Sequence, residues 1–170
     1  MISVDTILQQ ATALNLRGFK ESLLLQTQDA NYGTLSFEER LYHLFESEIN
    51  QRENKKVKRL LQAASFKDKT ASLEQIEYLP KRNLDKSVII SLSNGNFINL
   101  KQNVLITGAT GVGKSFTMQC LGKRAIDLGY PTKYYRLSSL LEEIRTSRIS
   151  GTYTKTLAKI SKFKLLLIDD

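Results

Sequence analysis

Residues 108–115 read GATGVGKS: three glycines, then a lysine and a hydroxyl side by side. Each fixed position of the pattern G-x-x-x-x-G-K-[ST] is present. The aliphatic run NVLIT precedes it, and SFTMQCLGKRAIDLGY, which reads as a helix ended by Gly129, follows it. Gly108, Gly111 and Gly113 let the backbone turn back on itself, so that its N–H groups come within reach of phosphate oxygens. Those N–H groups open the next helix, whose N-terminus attracts negative charge. Lys114 is placed to reach the β- and γ-phosphates of a nucleotide, and Ser115 offers a hydroxyl to Mg²⁺. Ala109, Thr110 and Val112 complete the loop. A chance match in a glycine turn would arise roughly once in two hundred chains of this length.

A second chemical element stands at residues 165–170, LLLIDD. A buried strand that ends in Asp is where a phosphate-binding loop of this kind holds Mg²⁺, usually through water. Asp169 is the candidate for that role. Asp170, the second acid, is the candidate for orienting or activating the attacking water as a general base. Aliphatics followed by Asp also occur in ordinary strand-to-loop junctions. The position about 54 residues after the glycine loop, with two strand–helix steps between, favours the metal reading.

Around these elements the pattern is strand, helix, strand, helix, strand. NVLIT, TKYYRL and KLLLID are the strands, with helices over SSLLEEIRTSR, capped by Ser138, and over TYTKTLAKISK. That is the grammar of a parallel α/β sheet. The part before it is helical. Val4, Ile7, Leu8, Ala11 and Leu14 recur at helical spacing, and GFKESLLLQTQ carries a second segment. DANYGTLS reads as a loop. Ser36 is an N-cap with Glu39 completing a capping box, and one long helix runs from about residue 36 to 64. Residues 70–100 are expected to hold a connection and one helix, roughly 85–92, with a turn at Asn94-Gly95. The expected division is therefore 1–69, a helical segment, and 70–170, the nucleotide-binding part.

The net charge is +8, from 25 basic and 17 acidic residues, which favours polyanionic partners. Arg52, Lys55, Lys56 and Arg59 share one face of the long helix, since residues three or four apart are neighbours. That face is either a solvated surface or a contact for phosphate backbone. No apolar run approaches the ~18 residues of a membrane span, and the start lacks the pattern of a secretory signal. One cysteine, Cys120, and one histidine, His43, exclude an internal disulfide and Cys- or His-based metal clusters. A reducing cytosol is the natural compartment. Cys120 is expected in the core, as are Tyr134 and Tyr135. Tyr78 and Leu84 either line an adenine pocket or pack.

Several stretches together resemble the IstB-like ATP-binding proteins, ATPase helpers that accompany a transposase in one class of bacterial insertion sequence. They are also similar to the DnaC replicative helicase loaders. GTLSFEERLYHLFESEINQRENKKVKRLLQAA looks like the N-terminal helical segment of that family, and LDKSVIISL with NVLITGATGVGKS like the approach to its P-loop. YYRLSSLLEEI, SGTYTKTLAKISK and LLLIDD look like its second strand, following helices and metal-binding strand. The likeness runs from about Ile7 to Asp170. It implies an AAA+-like P-loop NTPase with a helical N-terminal segment, ATP and Mg²⁺ as ligands, and Lys114 and Asp170 in catalysis. It further implies assembly on double-stranded DNA through Arg52, Lys55, Lys56 and Arg59, self-association, and a cognate transposase as partner. A helicase loader and a non-catalytic nucleotide-sensing adaptor are the alternatives.

The family normally continues past the double acid with two more strands, a polar sensor residue, an arginine that reaches a neighbouring subunit, and a helical lid. Its sheet order, 5-1-4-3-2, puts a strand between NVLIT and LLLID. The expectation from this sequence is therefore a C-terminally incomplete sheet that keeps its phosphate loop and hydrolyses ATP poorly.

Overall fold

The computed structural model describes residues 3–170. Its contacts divide the chain into two units, Met1–Lys56 and Val57–Asp170. The sequence had placed this division at 69/70. It falls earlier, inside a helix, because the apolar residues that follow Lys56 belong to the core of the second unit.

In the first unit, α1 (Val4–Ala13) begins at Ser3, whose hydroxyl accepts the Thr6 N–H at 3.2 Å. α2 (Arg17–Gln28) follows, then a 3-10 segment, Ala30–Thr34, where the sequence suggested only a loop. The long helix α3 (Phe37–Ala64) starts with the expected capping box. Glu39 N–H donates to Ser36 Oγ at 3.2 Å, and Ser36 N–H donates to Glu39 Oε2 at 2.8 Å. Ala11, Leu23 and Leu44 are buried.

α2 has no side-chain cap of its own, because Leu16 stands at its N-cap. Glu48 of α3 supplies one. Its Oε2 accepts the N–H groups of Gly18 at 2.8 Å and Phe19 at 3.3 Å, and its Oε1 accepts Arg52 Nε at 2.6 Å. A carboxylate on the positive end of a helix is favourable in sign. Burial alone would raise the Glu48 carboxyl, but the Arg52 guanidinium and the two backbone N–H groups outweigh it and hold the group below its ordinary range. A carboxylate with a depressed folded pKa stabilises above its unfolded value of about 4.5 and loses that contribution as the pH falls through the folded value. Glu48→Gln should therefore cost about 1 kcal/mol at neutral pH. The gap to wild type should close as acid is added below that value, as read by denaturant midpoints across the range.

The second unit begins with the last turns of α3. Val57, Leu60, Leu61 and Ala64, with Phe66, pack against Ile126, Tyr134 and Leu167. A second cluster joins Ala71, Ile76, Ile89, Cys120 and Leu121. Cys120 is fully buried, and burial pushes its thiol up to about 11, as befits a small core residue. Residues 70–100 hold more than one helix. There are 3-10 turns at Leu73–Gln75 and Pro80–Arg82, then α4 (Lys86–Ser93) and a single turn, α5 (Asn96–Asn99). Gly95, with φ of 74°, makes the bend between these two helices.

α6 (Lys114–Asp127), β1 (Thr132–Arg136), α7 (Leu137–Ile149), α8 (Tyr153–Ile160) and β2 (Leu165–Asp169) complete the unit. β1 and β2 pair in parallel, with Tyr134 opposite Leu167 and Arg136 opposite Asp169. This is an α/β fold with a parallel sheet, preceded in the chain by a helical segment, as expected. α6 lies close over that sheet at Gly122, where an added Cβ would meet Leu167 Cδ1 at 2.4 Å. α7 starts one residue ahead of the expected Ser138 cap, with Arg136 as its N-cap.

The expectation of a strand over NVLIT fails. Residues 103–107 form no strand: they run without regular structure, and Leu105 is 88% exposed. A strand exists through its neighbours' hydrogen bonds, and among the described residues no strand lies beside this run. An aliphatic stretch carries the propensity but not the partner.

Candidate functional site

The glycine loop sits ahead of α6 and opens to solvent. Gly108, Gly111 and Gly113 have φ of 153°, 82° and 92°, a region that a side chain resists. A Cβ at Gly111 or Gly113 would meet nothing within 4 Å, so these positions need glycine for conformation and not for space. Gly113 is the N-cap of α6, and its carbonyl accepts the Thr117 N–H at 2.9 Å as the first helical bond. The N–H groups of the first turn are left for another acceptor. Lys114 curls over the loop and donates from Nζ to the carbonyls of Gly108 at 2.9 Å and Ala109 at 3.0 Å. Those are weak acceptors for an ammonium that a phosphate would draw away.

Ser115 and Asp169, 54 residues apart in the chain, meet. Ser115 Oγ donates to Asp169 Oδ1 at 2.7 Å. The other carboxylate oxygen, Oδ2, accepts the Tyr134 hydroxyl at 2.7 Å. Burial works against the Asp169 charge, yet the Tyr134 and Ser115 hydroxyls, the Asp170 N–H and the Lys67 ammonium together hold its carboxyl below the ordinary range. It is ionised at neutral pH. Burial and the adjacent carboxylate push the Tyr134 hydroxyl up, so it stays a donor. Asp170 is exposed just past the strand.

A hydroxyl and an ionised carboxylate, side by side at the root of this glycine-rich loop, are hard oxygen donors of the kind Mg²⁺ takes. Among the described residues no group of three or more His, Cys, Asp or Glu converges to cage a metal. Tyr134 escaped the sequence reading, which assigned it to packing. Its ring does pack, but only the strand register reveals where the hydroxyl reaches. Tyr78 and Leu84 pack on the second core cluster, beside Phe116.

Arg52, Lys55, Lys56 and Arg59 are all exposed on α3. Arg52 differs from the other three, because its Nε is committed to Glu48. A cleft of about 380 Å³ in the second unit is lined by Lys67, Lys133, Arg136 and Lys159, with Glu143 among them. A larger cleft, about 740 Å³, runs between α7 and α8 and is lined by hydroxyls and two carboxylates. Among the described residues no helix is long and apolar enough to cross a membrane.

Comparison with known proteins points the same way. The family described as IstB-like ATP binding protein matches residues 9–170. A Pseudomonas fluorescens protein named for ATP binding in insertion sequence IS1162 is 36% identical over 163 residues, which are 96% of this chain and 71% of that protein. The Sinorhizobium fredii insertion-sequence protein y4pL, also named for ATP binding, is 26% identical over 96% of this chain and 66% of its own length. The corresponding IS21 protein of Pseudomonas aeruginosa is 26% identical over the whole chain and 63% of its own length. The chain thus spans roughly two thirds of the relatives it matches.

Proposed function

We propose, because this chain belongs to the family of IstB-like ATP-binding proteins, that it binds Mg-ATP at residues 108–115 as part of a DNA-associated helper ATPase of transposition. The observation that carries this reading is the 2.7 Å meeting of Ser115 and Asp169 beneath the loop. In it, the N–H groups of residues 108–115 and the Lys114 ammonium hold the β- and γ-phosphates. Ser115 and Asp169 hold Mg²⁺, which when bound neutralises phosphate charge. Asp170 orients or deprotonates the attacking water. The setting is the cytoplasm, with self-association and a cognate transposase as further partners.

Double-stranded DNA is held in this reading through phosphate contacts on α3. The support is charge: Lys55, Lys56 and Arg59 are exposed, and among the described residues they form no ion pair. Arg52 should be left intact in a test, since reversing it would strip Glu48 of its partner. The Lys55→Glu/Lys56→Glu/Arg59→Glu triple variant should bind duplex DNA more weakly, and the slope of log affinity against log salt should flatten by about 2 to 3, near 0.9 per lost contact. Unchanged affinity and slope, in fluorescence anisotropy across a salt series, would exclude this face.

A further inference from the structure

The two hydrogen bonds on Asp169 come from different elements. Ser115, on the loop helix α6, holds Oδ1, and Tyr134, on the neighbouring strand β1, holds Oδ2, each at 2.7 Å. The register explains how Tyr134 arrives. It opposes Leu167, while Asp169 opposes Arg136, so Tyr134, Leu167 and Asp169 share one face of the sheet. The tyrosine ring spans the diagonal step from its own position to the next same-face residue of β2. That ring is 8% exposed and packed with Ala64, Phe66, Ile126 and Leu167, so the hydroxyl is delivered from a fixed place. Tyr135, the next residue, points to the opposite face.

A carboxylate's terminal torsion is broad and soft. With one hydrogen bond Asp169 pivots about Oδ1; with a second from a core-anchored donor it has a single orientation. We infer that Tyr134 is a positioning residue for metal-dependent nucleotide binding, whose hydroxyl sets the Asp169 carboxylate so that Oδ1 stays turned to Ser115. This rests on reading residues 108–115 as a Mg-nucleotide site. Tyr134 touches neither nucleotide nor ion; it acts through Asp169.

The test uses the whole chain and a fluorescent ATP analogue. Affinity is measured first in EDTA and then along a MgCl₂ titration, for wild type, Tyr134→Phe, Tyr135→Phe, Asp169→Asn and the Tyr134→Phe/Asp169→Asn double variant. Tyr134→Phe should raise the Mg²⁺ midpoint about tenfold, the low end for losing a hydrogen bond to a charged group, while leaving the metal-free affinity unchanged. Tyr135→Phe should follow wild type, and the Tyr134→Phe effect should vanish once Asp169 is Asn. A Tyr134→Phe midpoint equal to wild type overturns the inference. So does an equal shift in Tyr135→Phe, or an effect that persists without the Asp169 charge, since each would mean general loosening of the strand. Should Tyr134→Phe lose its thermal transition, the double-variant comparison is replaced by Ser115→Ala: a residual Mg²⁺ response in Ser115→Ala that Asp169→Asn abolishes supports an independent hold on Asp169, and none overturns it. A wild-type chain with no Mg²⁺-dependent binding removes the nucleotide reading itself, and this inference with it.

Discussion

Saturating Mg-ATP should raise the thermal unfolding midpoint of the 170-residue chain by roughly 5–10 °C, and should leave Lys114→Ala where it was. A ligand that binds only the native state at a hundredfold excess over its Kd stabilises by about 2.7 kcal/mol. The Lys114 side chain makes two hydrogen bonds, both to loop carbonyls at an open surface, so removing it costs the free protein little. Its loss should be felt almost wholly in binding, where an ammonium faces phosphate oxygens. Differential scanning fluorimetry of both proteins, with and without Mg-ATP, reads the difference directly. A nucleotide shift of equal size in Lys114→Ala would mean that the loop is not the site. No shift in either protein would mean that residues 108–115 do not load.

Gly18→Ala should unfold the first unit at lower denaturant, by about 2 kcal/mol. Two effects oppose each other. Inside a helix, Ala is favoured over Gly by up to ~1 kcal/mol, so the substitution would stabilise an isolated α2. In the folded unit an added Cβ would lie 2.4 Å from the Ser47 carbonyl oxygen and 2.7 Å from Glu48 Cα. Both are backbone atoms of α3 and cannot swing aside as a side-chain tip would. The helices must part, at an overpacking cost of about 1–3 kcal/mol. Parting them also strains the Ser47 Oγ bond to the Gly18 carbonyl, 2.9 Å, and the Glu48 cap on the Gly18 N–H, 2.8 Å. That adds about 1 kcal/mol for the cap alone. The clash wins. Chemical denaturation followed by far-ultraviolet circular dichroism measures it, and Mg-ATP binding in the second unit serves as the control. A variant as stable as wild type would mean that α2 and α3 are not held at this distance.

How much of this was legible beforehand differs from element to element. Gly18 carries no signal in the sequence: it opens the segment GFKESLLLQTQ, where a glycine reads as an ordinary residue of a helix start. Its reason is thirty residues away, in Ser47 and Glu48. Glu48 likewise reads as one more acid on a charged helix, and only the crossing of α2 makes it a cap. Arg52 looked like three neighbouring cations and proves to be partly committed to that carboxylate. The division between the two units fell within α3 for the same kind of reason. Helical periodicity continues across residue 56, while the partners of the side chains change.

The residue types and spacings did determine the positive-φ glycines of residues 108–113, the helix that follows them, the capping box at Ser36 and the long helix after it. These are local matters: backbone conformations that only glycine adopts readily, hydrogen bonds three residues apart, a hydrophobic period. Tertiary structure alone decided three other things. It brought Ser115 and Asp169 together, set the register that sends Tyr134 to the same carboxylate, and left residues 103–107 without a strand despite their composition. Each of those depends on which segment lies beside which, and a strand, unlike a helix, takes its hydrogen bonds from a neighbour that its own residues do not name.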